Sequence, residues 1–202
     1  MSEDQFKRRW FSDQFRAENQ TRLDSLFVRK SLQGKIDLRG LVVGLDGALP
    51  SLVHADLTGA LVEGVDLSHS AFSCPFRAVR ANNCTFAQCL FDTCWFKGAK
   101  FDHCTFDSAS LESPILDDSQ FQACSFERTR IFGKGSKEYG GRRVIFERCI
   151  FRSALFQNLQ LRACRFNDCI FQDTIFKKSI LAGTKFEGGE PERSAFVNCG
   201  CQ

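Results

Sequence analysis

The sequence predicts an all-β solenoid, a chain that winds on itself and turns a corner every five residues. Three observations lead there. A large apolar residue, usually Phe, recurs at every fifth position over most of the chain. A small residue sits two places before each of these centres. Ten of the eleven cysteines fall in one phase of the same period. A helix asks for apolar spacing near 3.6 residues and a strand for a spacing of 2, so a sustained period of five fits neither. Internal repeats of this kind set the architecture before any local assignment does.

Residues 1–31 lack the five-residue phase. Ser2 with Gln5 makes a capping box, and Phe6, Trp10, Phe11 and Phe15 then share one helical face. Thr21 with Asp24 marks a second start, with Leu23, Leu26 and Phe27 as its apolar side. The segment reads as two short helices that cap the first coil of the solenoid, whose end otherwise leaves backbone groups unpaired. A basic arm that binds a partner is the other reading, because residues 1–35 hold eight Lys/Arg against five Asp/Glu. Residues 36–202 hold nineteen of each, so the whole formal excess of +3 lies at the N-terminal end.

Two repeats centred on Leu38 and Val43 come next, followed by a small loop at Gly44–Pro50 and a fresh start near Leu52. Phe72 to Phe76 is a step of four, a one-residue slip at Ser73-Cys74-Pro75 that reads as a local kink. From Phe76 to Ile131 the phase holds for twelve repeats, and from Phe146 to Phe196 for eleven. Sixteen of these 23 centres are Phe, with Ala81 and Pro191 as the exceptions to a large side chain. Nineteen of the 23 residues two before a centre are Cys, Ala, Ser, Thr or Gly, while Val79, Pro114, Val144 and Leu159 are larger. Both positions point inward, where Phe rings stack coil on coil at about 4.8 Å and only a small group fits beside them.

Ile131 to Phe146 is a step of 15, which extrudes ten residues as a loop at about 132–143. It holds the chain's one tyrosine, four basic residues and several glycines. Lys134, Lys137, Glu138, Tyr139, Arg142 and Arg143 are the candidate partner-binding residues, since loops on rigid scaffolds present binding groups. A tolerated surface insertion is the alternative. The repeat phase runs almost to Gln202, so the last coil is expected to lack a cap and to pair with a second copy.

Ala55-Asp56-Leu57-Thr58-Gly59 and Val65-Asp66-Leu67-Ser68-His69 resemble the A(D/N)LXX signature of pentapeptide-repeat proteins, and Asn83-Cys84-Thr85-Phe86-Ala87 with its successors resembles their Cys/Phe-rich variant. The resemblance implies a right-handed quadrilateral β-helix of about seven coils, four repeats to a coil, with the short N-terminal α-helical cap. The organisation expected is a cap over 1–31 and a β-helix over 32–202. The Cys/Phe coils are distantly similar to the Qnr and MfpA-like group, whose members mimic duplex DNA and bind DNA gyrase or topoisomerase IV.

Catalytic chemistry is not legible. The cysteines lie 5, 10 and 20 apart, without the CxxC pairs of zinc sites, and read as buried packing thiols. Cys201 is off-phase and reads as the most reactive thiol. His54, His69 and His103 each follow a centre by two and so point outward singly. No cofactor, metal or enzymatic activity is expected. No apolar run is long enough to cross a bilayer, and the acidic N-terminus is unlike a signal peptide. An odd cysteine count then points to reduced thiols in the cytoplasm. The expected function is a non-enzymatic protein–protein interaction module: a scaffold, adaptor or inhibitor that presents flat faces and a basic loop to another protein. Direct nucleic-acid binding is not expected, because no reading motif is present. DNA mimicry toward gyrase or topoisomerase IV is the alternative, and it calls for a strongly negative surface that a body with balanced charge does not have.

Overall fold

The computed structural model describes residues 3–135 and 139–200. The chain forms a right-handed, four-sided β-helix of about seven coils behind a short helical segment. Four successive repeats make one coil, so the corresponding residues of neighbouring coils lie twenty apart, as in Lys100↔Gln120 and Leu90↔Ser110. Face one is an eight-stranded parallel sheet running from Ser31–Asp37 through Leu61–Asp66, Arg80–Asn82, Lys100–Asp102, Gln120–Gln122, Ile145–Glu147 and Arg165–Asn167 to Lys185–Glu187. Face three, opposite, is a second eight-stranded parallel sheet from Val42–Val43 to Phe196–Val197. Faces two and four are joined mostly by single bridges, such as Thr85↔Thr105 on face two and Pro75↔Trp95 on face four.

The interior follows from the repeat. On face one Phe101, Phe121, Phe146, Phe166 and Phe186 stack at 4.7–5.1 Å with interplanar angles of 6–12°. Face two contributes Phe86, Phe106, Phe126, Phe151 and Phe171, and rings of adjacent faces meet edge-on, as Phe121 and Phe126 do at 72°. Offset stacks within a column and edge contacts between columns are both favourable ring geometries. Burying each ring stabilises the fold by about 2–3 kcal/mol.

The small inward position has a second role that the sequence pattern leaves hidden. Most of its thiols and hydroxyls donate to the carbonyl of the centre residue one coil below, while Ser119 and Ser179 donate within their own coil, to Leu116 O and Lys177 O. Cys94 Sγ reaches Phe72 O at 3.2 Å, Thr129 Oγ1 reaches Phe106 O at 2.7 Å, and Cys199 Sγ reaches Phe176 O at 3.2 Å. Cys, Ser and Thr interchange there because each is small and carries a donor.

Corners are made by the residue two after each centre, which takes a left-handed backbone. Asn83, Gln88, Thr93, His103 and Arg148 have φ between 50° and 57°. For residues other than Gly this costs about 1–2 kcal/mol each. The cost is offset by the ladder, since a corner N–H such as that of Asn83 reaches the next coil at Asp102 O, 3.0 Å away.

The N-terminal segment differs in part from its sequence reading. Helix α1 is Glu3–Arg9 and α2 is Asp13–Leu23, followed by a π-helical turn at Asp24–Val28. The start of the second helix is Ser12, whose hydroxyl accepts from Phe15 N, and Thr21 lies inside α2. The Ser2 cap lies outside the described residues. Phe6, Trp10 and Leu26 are buried, but Phe11 is 63% exposed because the break between the helices turns it away. Trp10 Nε1 and the Arg9 guanidinium donate to Arg39 O, and Arg9 also forks onto Asp37. Gly40 is required here: a Cβ on it would lie 2.4 Å from the Phe6 carbonyl carbon.

The largest correction concerns the interval from Ile131 to Phe146. It extrudes five residues, not ten, because it contains a hidden repeat. Gly140–Arg142 is a strand on face four, paired in parallel with Gln160–Arg162, and Gly141 stands at the centre position opposite Leu161. The insertion therefore begins after Phe132 and is over by Gly140, instead of running over 132–143. A side chain on Gly141 has no room, since its Cβ would lie 2.6 Å from Val144 Cγ2 and 2.8 Å from Leu116 Cβ. The oversized Val144 fills the volume that a centre side chain normally takes.

Candidate interaction surface

Three of every five residues face outward, so the chemistry available to a partner is set by how coils align these residues. The loop enters from face three. Its first part is tied down: Gly133 N donates to Gln157 O, Asn158 Nδ2 donates to Gly133 O, and Lys134 N donates to Ser113 Oγ. The Lys134 ammonium pairs with Glu112, which raises its pKa. Tyr139 is half-buried against the core, and Gln160 N donates to its carbonyl. Arg143 forks onto Asp118 at 2.6 and 2.9 Å, and that pairing lowers the pKa of the Asp118 carboxyl. Arg142 is exposed, and its backbone N–H donates to Asp117 at 2.8 Å. Lys137 and Glu138 lie outside the described residues. Of the six sequence candidates, Tyr139, Arg142 and Arg143 therefore belong to face four, and Lys134 to the corner before it.

Sequence reasoning passed over the residues that face four adds. Its outward ladder runs Pro75, Trp95, Ile115, Gly140, Gln160, Ile180. Trp95 is 39% exposed, and the Arg77 guanidinium lies 4.2 Å from its ring centroid. Lys97 and Ile115 border the same ring, and on its other side Ser73, Pro75 and Thr93 line a shallow depression. Farther along, Asp117, Arg142, Gln160 and Arg162 line another.

On face two the outward acids are Asp107, Glu127 and Asp173. Arg128 and Arg152 both bridge to Glu127 there. His69 departs from its reading as an outward side chain: it stacks on Phe6 at 4.8 Å, because α1 covers that corner. His103 Nδ1 lies 2.9 Å from the Asp102 carboxylate.

The cysteines form a column. Cys84, Cys104, Cys124, Cys149 and Cys169 each point a thiol at a carbonyl one coil down. No disulfide links the described cysteines. Contact with the thiol of the next coil, and then burial, push the Cys84 and Cys104 pKa values well above the thiol range. Burial alone leads the rise at Cys149, and it lifts Cys164 to about 11. At Cys169, the end of the column, the hydrogen bond with Cys149 lowers the value despite burial. Cys201 lies outside the described residues. Among those residues no group of three or more His, Cys, Asp and Glu gathers closely enough to hold a metal ion, and no helix is long and apolar enough to cross a membrane.

A family model described as pentapeptide repeats matches residues 149–188 in eight copies. Among solved structures, full-length QnrB1, a plasmid-mediated fluoroquinolone resistance protein, is 11% identical, with 85% of this chain and 93% of that chain covered at a TM-score of 0.47. HetL, involved in heterocyst differentiation regulation in the cyanobacterium Nostoc, is 14% identical over 84% of this chain and 86% of its own, with a TM-score of 0.26. Rfr23 from the cyanobacterium Cyanothece is 14% identical, with coverage of 92% and 99% and a TM-score of 0.25. No curated protein matches the sequence.

Proposed function

The chain is a pentapeptide-repeat protein, by the repeats matched over 149–188 and by the four-sided coil that carries the same pattern from Leu32 to Phe196, and from that premise we propose that it is a non-enzymatic protein–protein interaction module. One observation carries this reading. The interior is closed by stacked rings and small side chains, so every chemically variable position lies on a flat outer face. Such a rod offers a partner a rigid surface at little ordering cost. The reading places the protein in the cytoplasm, a reducing compartment suited to its unlinked thiols. It also includes a homodimer through the C-terminal coil, where the strands Lys185–Glu187 and Phe196–Val197 end their sheets among the described residues and Val197 is 39% exposed.

DNA mimicry is the weaker reading. Among the described residues the acids of face two are broken up by Arg128 and Arg152, those of face one stand beside Arg80, Lys100, Arg165 and Lys185, and face four is basic, so none of these faces offers a continuous negative stripe to a DNA-binding enzyme. Photocrosslinking residues placed singly on each face, followed by capture from the native host, test the proposal. One face is expected to trap a defined protein. Capture no better than the unmodified chain from all four faces would refute the interaction reading. Relief of fluoroquinolone inhibition of purified gyrase would replace it with mimicry. Sedimentation of the purified chain as a monomer at high concentration would remove the dimer.

A further inference from the structure

We propose that the stretch of face four from Pro75 to Arg162 docks an acidic segment of a partner protein that carries an apolar side chain among its carboxylates. The inference rests on the interaction-module reading and adds to it a location and a partner chemistry.

The fold does not require what is found there. At the position of Trp95, face two carries Thr85, Thr105 and Ser125 in successive coils and then Ile150 and Ile170, none of them aromatic, and the ladder passes through all five. An exposed Trp between Pro75 and Ile115 is therefore surplus to the solenoid. The four-residue step from Phe72 to Phe76 omits one corner residue beside it, which leaves the depression lined by Ser73, Pro75, Thr93 and Trp95. An apolar side chain fits that notch against the indole edge.

The charge around this patch has one sign to spare. Arg77, Lys97, Arg142 and Arg162 are all exposed on the face, and among the described residues none of them is in an ion pair. Asp118 is taken up by Arg143, which leaves two acids beside the four cations: Asp117 between the two pairs, and Asp56, within electrostatic reach of Arg77, at the Pro75 end. Face one has cations too, but Glu63, Asp102, Glu147, Asp168 and Glu187 balance them and no aromatic residue stands outward among them. A Trp with Arg neighbours and a half-buried Tyr139 nearby is the composition of an interface anchor. Guanidinium forks suit carboxylates.

A nucleic acid fits less well. Single strands bind by stacking bases on open aromatic faces. The Trp95 face is covered by Arg77 at 4.2 Å, and its aliphatic neighbours Pro75 and Ile115 offer nothing on which to stack. A second copy of the chain, docking the acids of face two, is the remaining occupant and is an outcome of the test.

The test measures fluorescence anisotropy of a labelled short peptide of alternating glutamate and leucine, titrated with the wild-type protein. Saturable binding is expected. A lysine–leucine peptide of the same length and a single-stranded oligothymidylate should bind at least about tenfold more weakly. Trp95→Thr, the residue the same position carries on face two, and the double variant Arg77→Glu with Lys97→Glu should each weaken the glutamate–leucine peptide by about tenfold or more, with circular dichroism unchanged. Absence of saturable binding, equal binding of the oligonucleotide, or no effect of either variant overturns the proposal. So does self-association abolished by those variants, which would assign the face to a second copy. Crosslinkers at Ile115 and at Ile150, on opposite faces, separate the two levels of inference. A protein trapped only from Ile150 refutes the face-four site and leaves the module standing, whereas capture from no face sinks both.

Discussion

Phe121→Ala is the sharpest probe of how the rod holds its faces flat. The ring has Phe101 below at 5.1 Å and Phe146 above at 5.0 Å, and Phe106 and Phe126 meet it edge-on at 5.9 and 5.4 Å. Removing a buried Phe costs about 3–5 kcal/mol, with the size set by how far the surroundings collapse. Collapse is prevented here, because the rings above and below hang from parallel ladders that fix the coil spacing. The loss should sit at the upper end, about 5 kcal/mol. Phe196→Ala is the internal control: its ring is half-exposed, with one stacked partner, Phe176 at 5.2 Å, and one edge contact, Phe186 at 5.8 Å. About 2 kcal/mol is expected there. Guanidinium unfolding of both variants, followed by circular dichroism, gives the comparison. Equal losses, or a Phe121→Ala loss below about 2 kcal/mol, would mean that the coils relax independently and that stacking does not govern rigidity.

Three further outcomes follow from the same geometry. Gly141→Phe restores the repeat centre yet should destabilise by about 3 kcal/mol, because Val144 and Leu116 already occupy the space; a neutral result in thermal unfolding would show that the volume is empty. Thr93→Gly should stabilise by about 0.5–1 kcal/mol, since it relieves a β-branched residue at φ 55° and loses part of the gain to glycine's entropy. A lower melting temperature would contradict the strain argument. At Asp37 burial pushes the carboxyl up, but hydrogen bonds from Arg9 and Arg39 outweigh it and hold the group well below the carboxylate range. A carboxyl depressed in this way stabilises the fold above its unfolded value near about 4, and that contribution fades as the pH falls below it. Acid titration of a Trp95→Phe variant, read by Trp10, should show the helical segment loosen in that window, and Asp37→Asn should abolish the step; an unchanged profile in the Asn variant would assign the loosening elsewhere.

The period of five was enough to place the centres, the inward thiols and the four-sided coil, because each coil repeats one packing problem. What it hid has physical reasons. Gly141 concealed a repeat because a centre without a side chain leaves no mark, although the large Val144 beside it was a trace of the compensation. The corners gave no periodic glycine because Thr93, Arg148 and Lys178 are forced left-handed by the ladder, not by their own preference. Ser12 was overlooked as a cap because the more regular Thr21–Asp24 pair competed with it. The loop residues Tyr139, Arg142 and Arg143 could be read from composition. Their place on the same face as Trp95 could not, because it depends on a 25-residue coil that sets Gly140 against Ile115. Trp95 itself stands one before a centre, a position that the repeat leaves unconstrained.

The thiol column also makes the rod a recorder of its own opening. A cysteine that keeps its proton and lies under a neighbouring coil does not react with an alkylating reagent until that coil lifts away. Cys199 is the one half-exposed thiol among those described, and Cys84 lies five coils deeper in the stack. The order in which mass-shifted peptides accumulate under slow alkylation is then a spatial record: a sequence from Cys199 inward means that the stack frays from one end, and simultaneous labelling means that it lets go as a single unit.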